Sequence, residues 1–235
     1  MAQAAAVAAA IAIISLPAKA DLFNVTVEAP GVQNTTATFS VSGVETFDGR
    51  PLGTHTFATD FGTGGVLTGT FTGVPVAPAD EFGGAGGTGN YAALESDGLF
   101  TLTLDQNLTY FGLWISALNA TNTLSIYNGD MLVESFDPAD LIALVQTQPD
   151  YYGNPNPQFL GADPTQPFAF VNFYDTDGSF NRIVVAGPGY ESDNFTVGLF
   201  TDQTGTPVGV PEPASLALLG TGLAGLGLVG RRKVF

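Results

Sequence analysis

Cysteine is absent from this 235-residue chain. No disulfide, thiolate metal site or cysteine nucleophile can therefore form, and none is needed for export. Histidine occurs once, at His55. A Ser-His-Asp triad would have to use His55 as its base, yet the alternating run Thr54-His55-Thr56-Phe57 reads as a strand, and no Gly-x-Ser-x-Gly elbow occurs among the serines. Basic residues are scarce and unevenly placed. Of 22 acidic residues only Glu212 lies outside Asp21–Gly209, whereas of 6 basic residues Lys19, Arg231, Arg232 and Lys233 do. The central region thus carries 21 acids against Arg50 and Arg182, net −19, and has no lysine. Such a surface excludes nucleic acid as a partner, because phosphate binding requires clustered Lys and Arg. It favours solubility and cations.

Long apolar runs are missing from the centre and present at both ends. Ala4 to Leu16 is apolar and precedes Pro17 and Ala18-Lys19-Ala20, a small-x-small site, so residues 1–20 read as a signal peptide cleaved before Asp21. No Lys or Arg precedes this run, and the true start is therefore expected upstream. At the other end stand Val210-Pro211-Glu212-Pro213, an uncharged stretch from Ala214 to Gly230, and Arg231-Arg232-Lys233. As a helix, Ala214–Gly230 would rise roughly 25 Å, slightly short of the ~30 Å hydrocarbon core. The basic residues would stay cytoplasmic, leaving everything upstream on the outer face of the inner membrane. Five glycines (Gly220, Gly222, Gly225, Gly227, Gly230) weaken that helix, as suits a temporary handle. Pro211 and Pro213 disfavour helix around Glu212 and present an extended segment to a protease.

This tripartite tail over residues 210–235 resembles the PEP-CTERM sorting signal of exosortase-dependent surface proteins of Gram-negative bacteria. The resemblance implies an exosortase as processing partner, the sorting motif Pro211, Glu212 and Pro213, and the basic stop Arg231, Arg232 and Lys233. It also implies transient anchoring in the inner membrane, followed by deployment at the cell surface or in an exopolysaccharide or biofilm matrix.

Residues 21–209 have the length of one domain. With 30 glycines and 15 prolines in the chain, β-rich runs are cut short throughout. Strands are expected near 24–28, 36–42, 54–60, 65–72, 98–104, 109–117, 122–128, 131–136, 167–174, 180–186 and 194–200. Asn128-Gly129-Asp130 and Asp175-Thr176-Asp177-Gly178-Ser179 each sit between two such runs and predict hairpins. Asp137, Pro138 and the apolar Leu141, Ile142, Leu144 and Val145 predict one capped helix. Val74–Asn90, with Pro75, Pro78 and five glycines, and Gln148–Gln166, with four prolines, are expected to be loops. The fold class is all-β, a β-sandwich or jelly-roll-like domain with one short helix.

For chemistry, calcium is the natural candidate cofactor, since the region offers oxygen ligands in loops and lacks the nitrogens and sulfurs of zinc sites. Glu45 and Asp48 follow an early strand, and Glu191, Asp193 and Asn194 precede the last. In carbohydrate-binding jelly rolls, which this pattern loosely resembles, a structural calcium ties the first strand to the last. Trp114, on a strand apolar on both faces, and Tyr151 and Tyr152, in a loop, are candidate sugar-stacking residues; Tyr151, Tyr152 and Tyr190 are expected to be exposed. No catalytic residue is assigned. The expected function is a structural or adhesive surface protein that binds polysaccharide without cleaving it. The alternative is a secreted hydrolase using two carboxylates.

Overall fold

A computed structural model describes residues 23–208; the signal-peptide stretch and the sorting tail lie outside them. The chain forms β1 (Phe23–Val27), β2 (Thr38–Glu45), β3 (Gly53–Thr59), β4 (Gly69–Pro78), β5 (Asn90–Leu94), β6 (Leu99–Leu108), β7 (Tyr110–Ser116), β8 (Thr123–Asn128), β9 (Met131–Phe136), helix α1 (Pro138–Val145), β10 (Ala169–Asp175), β11 (Phe180–Ala186), β12 (Tyr190–Asp202) and β13 (Thr206–Pro207). All pairings are antiparallel and run in the order β13-β1-β10-β7-β12-β5-β4-β6-β11-β8-β9, with β2 added to β12 and β3 to β4. Among the described residues, no helix is long and apolar enough to cross a membrane.

The continuous sheet curls until its two halves face each other. Phe136 on β9 and Phe173 on β10, far apart in the strand order, bring their ring centroids to 5.3 Å. Phe71 on β4 and Phe195 on β12, separated in the order by β5 alone, meet at 5.5 Å. Phe47, Phe100 and Phe111 close around Phe195 at 5.4, 5.9 and 5.6 Å. Each such ring contributes on the order of 1.5–3 kcal/mol by leaving water. That burial is what folds a sheet of short strands into an all-β sandwich. At its centre lies β7, buried along its whole length between β10 and β12, as its double apolar face predicts.

Two local signals act as read. β8 and β9 pair across Asn128-Gly129-Asp130, with Gly129 at φ 59. The Asp137 side chain accepts from the Ala139 amide at 2.9 Å, starting α1 with Pro138 in its first turn and Leu141 and Val145 buried.

Two other readings are corrected. The runs flanking Asp175–Ser179 are not a hairpin: β10 pairs with β1 and β7, whereas β11 pairs with β6 and β8. Asp175 Oδ1 accepts from the amides of Asp177 and Gly178, and this turn hands the chain from one half of the sheet to the other. The expected loop Val74–Asn90 shrinks to its middle, because β4 extends through Pro78 and β5 begins at Asn90. Pro75 fits inside β4 because it sits where that strand changes neighbours. Residues 69–72 pair with β6 and residues 76–78 with β5, so on that flank no ladder bond is asked of residue 75.

The loop end and the sorting tail as candidate functional sites

β12 carries the described carboxylates with the largest displacement from ordinary behaviour. Glu191 and Asp193 are two residues apart and therefore share one face of the sheet, opposite Ser116 and Trp114 of β7. Beyond them lies a bulge: the register with β7 shifts between Asp193 and Thr196, and Asn194 adopts φ 50. The bulge aims Asp193 under the glycine-rich segment. Asp193 Oδ2 accepts from the Ala85 amide at 2.8 Å and Oδ1 from the Asn194 amide at 2.7 Å, while the residue is 2% exposed. Burial pushes its carboxyl up to about 8, against the lowering effect of those two amides.

Glu191 is pushed up to about 7, first by burial and then by the negative fields of Asp80, Asp163 and Glu95. Tyr91 closes the same neighbourhood. Its hydroxyl donates to Asp80 Oδ1 at 3.1 Å, and burial together with Asp80 raises its pKa well above the usual tyrosine value. A Cβ on Gly83 would come within 2.1 Å of the Tyr91 ring, so glycine is required where this loop crosses the tyrosine. The second long loop is tied to the first: Asn154 Nδ2 donates to Glu81 O at 3.0 Å and Asn156 Nδ2 to Gly84 O at 3.0 Å. One end of the sandwich thus gathers Asp80, Glu95, Asp163 and Glu191. These carboxylates come from distant parts of the chain, and no spacing in the sequence signals their meeting.

Of the expected calcium ligands, Glu45 and Asp48 come close enough to Asp193 for their charges to raise its pKa, but each is already engaged by protein donors. β2 does pair with β12, with Glu45 opposite Phe195, so the first and last acidic stretches are neighbours as anticipated. Glu45 is nevertheless committed elsewhere. Its Oε2 accepts from Arg50 Nη2 at 2.5 Å and Thr59 Oγ1 at 2.7 Å, and its Oε1 from the Phe47 amide at 3.0 Å. Asp48 accepts from the Asn90 amide at 3.2 Å and Thr46 Oγ1 at 3.1 Å. Asn194 Nδ2 donates to Gln33 O at 2.7 Å. The tie between β2 and β12 is made by backbone pairing, while the Arg50 guanidinium holds Glu45 within its own stretch of chain. Among the described residues, no group of three or more His, Asp or Glu is placed to hold a metal ion.

The aromatic candidates are corrected too. Trp114 has no exposure and packs with Phe168 at a centroid distance of 5.8 Å, in a small second core with Ala117 and Phe170. Tyr151 is 3% exposed and donates its hydroxyl to Glu28 O at 2.7 Å; Tyr190 is fully buried. Tyr152 is half-buried. None of the three buried rings can floor a sugar groove, because loops that looked solvated in sequence fold back over the sheet. His55 lies on β3 with Nε2 2.9 Å from Leu52 O, a bonded strand histidine. A groove of about 530 Å³ beside β2 is lined by residues such as Asn34, Phe39, Ser42, Phe61 and Thr196, and no carboxylate lines it.

The termini lie at the opposite end. β13 runs antiparallel to β1, with Thr26 opposite Pro207, so Phe23 and Val208 leave the sheet side by side. Phe23 stands level with Asp175, which bonds through Thr109 to Gly198 on β12. Glu191 lies seven residues back along β12, on the order of 20 Å away.

Comparison with known proteins bears on the tail. No curated protein and no solved structure matches the chain. The PEP-CTERM protein-sorting motif family matches residues 209–233, beginning one residue after the described domain ends. That motif implies exosortase processing, export and delivery to the surface, and the chain accordingly carries a PEP-CTERM protein-sorting motif at its C-terminal end.

Proposed function

We propose that the domain is a structural and adhesive module of the cell surface, which contacts polysaccharide through its acidic loop end and cleaves nothing. The observation that carries this reading is the placement of the ends. Both termini leave at one end of the sandwich, and Asp80, Glu95, Asp163 and Glu191 gather at the other. A chain held by its tail therefore points the acidic loops away from its attachment. With net −19 on the region, contact with an anionic polymer requires cations between the two, and millimolar calcium serves as such a bridge. The test is retention of the processed protein on alginate and on neutral glucan beads, with and without calcium. Retention on alginate that appears only with calcium is the expected result; no retention on either polymer removes the adhesive role.

One observation favours the hydrolase alternative: Glu191 and Asp193 share a face and both have raised pKa values. Asp193 is closed off under Ala85, which leaves Glu191 without a solvent-open carboxylate partner on its own strand. Release of reducing ends, abolished by Glu191→Gln, would establish the hydrolase instead.

A further inference from the structure

Asp-Pro occurs twice in the chain, at Asp137-Pro138 and Asp163-Pro164. The dipeptide has chemistry of its own. The side-chain carboxyl lies within ring-closing reach of its own main-chain carbonyl, and the proline nitrogen, a tertiary amide, takes a proton on leaving more readily than an ordinary amide nitrogen. The structure treats the two bonds differently. Asp137 is extended, at φ −96, and its Oδ1 is held by the Ala139 amide at 2.9 Å. Asp163 has neither restraint. Its Oδ2 is buried without a hydrogen-bond partner, and its φ is 49, left-handed where a residue before proline is ordinarily extended.

Both carbonyls are polarised alike, since Asp163 O accepts from the Gln166 amide at 3.3 Å and Asp137 O from the Asp140 amide at 3.2 Å. The carboxyl and the backbone set the two bonds apart. Burial first, and then the charge of Glu81, raise the Asp163 pKa, and Asp163 in turn raises that of Glu191. The charged groups acting on it from the glycine-rich loop and from β12 are thus carboxylates. Asp163 keeps its proton to a higher pH than an ordinary aspartate does.

We propose that the Asp163–Pro164 peptide bond is a self-cleavage site, at which the Asp163 carboxyl cuts its own main chain. A carboxyl oxygen bonds to the Asp163 carbonyl carbon, the bond from that carbon to Pro164 N breaks, and the carboxyl proton passes to the departing nitrogen. The products are a five-membered cyclic anhydride at Asp163 and a prolyl amine. Water then opens the anhydride to two carboxyl groups, so the sum is one peptide bond hydrolysed by one water.

The fold keeps the pieces together. Upstream of the cut, Ala162 O accepts from the Asn154 amide at 2.7 Å; downstream, Gln166 O accepts from the Gly153 amide at 3.3 Å and Tyr152 pairs with Pro167. β1 and β10, on opposite sides of the cut in the chain, remain paired. Cleavage therefore leaves a two-piece domain with free chain ends at its acidic loop end, beside Glu81 and Glu191.

The test holds the full chain at about pH 5.5, samples it over days, and separates the products under denaturing conditions for intact mass and N-terminal sequencing. A fragment beginning at Pro164 should accumulate at least about tenfold faster than one beginning at Pro138, and more slowly at about pH 8.5, where the carboxyl has lost its proton. In urea, where the fold no longer distinguishes the two carboxyls, the rates should agree within about twofold. Asp163→Asn should abolish the Pro164 fragment. Equal rates at the two bonds in the folded chain, or absence of the Pro164 fragment, overturn the proposal. An undiminished Pro164 fragment from Asp163→Asn marks an outside protease and overturns it as well. The comparison of folded with urea-unfolded chain uses the unsubstituted protein and stands whatever the variant does to folding.

Discussion

Burial holds the Glu191 carboxyl near 7 and that of Asp193 near 8, both above the ordinary carboxylate range. The folded state therefore binds protons that the unfolded chain has already released. Stability from these two groups is full below about pH 4 and falls as pH rises through 7 and 8. The melting temperature should accordingly decline from about pH 5 to about pH 8.5, and Glu191→Gln should flatten that decline while leaving the acid side unchanged. A melting temperature that climbs over this window would contradict the assignment. At the same scale, Trp114→Ala should cost ~3–5 kcal/mol in urea unfolding, since the fully buried ring leaves a cavity against Phe168 and Phe170. A variant as stable as the parent would place the ring at the surface after all.

Among elements, α1 depends on its cap. With only eight residues it has little stability of its own, and Asp137 satisfies an amide that would otherwise be unpaired. Asp137→Ala should cost about 1 kcal/mol, and Asp137→Asn much less, as read from denaturation midpoints. The helix and the β8–β9 hairpin were legible because their determinants are local: a cap, a proline, and a glycine that accepts positive φ. The turn after β10 misled because Asp-Gly chemistry specifies a reversal of direction and not the partner. Partner choice was settled by Phe23 meeting Phe180 and by Phe173 meeting Phe136, contacts between residues far apart in the chain. Pro75 misled for a related reason, since a proline reads as a break until a strand is seen to change neighbours beside it.

For the whole molecule, the ends and the domain divide the labour. Replacing Pro211, Glu212 and Pro213 with alanines should leave the precursor in the inner membrane with its tail attached, as detected by mass spectrometry of membrane and surface fractions. An intact tail on the surface form of the unsubstituted protein would show that sorting proceeds without cleavage. Residues 209–233 act as a linear signal, which is why the tail could be read without a fold.

The sequence by itself determined the sorting signal, the acidic balance, the absence of thiol chemistry, most strands and the helix. Each of these is set by composition or by residues within a few positions of one another. Only the tertiary structure decided that Trp114, Tyr151 and Tyr190 are core, that Arg50 holds Glu45, and that Asp193 latches the glycine loop. It also decided that Asp80, Glu95, Asp163 and Glu191 meet at the end opposite the termini. Burial and electrostatic fields depend on distance through space, and in a sheet that curls until its halves touch, that distance bears almost no relation to separation along the chain.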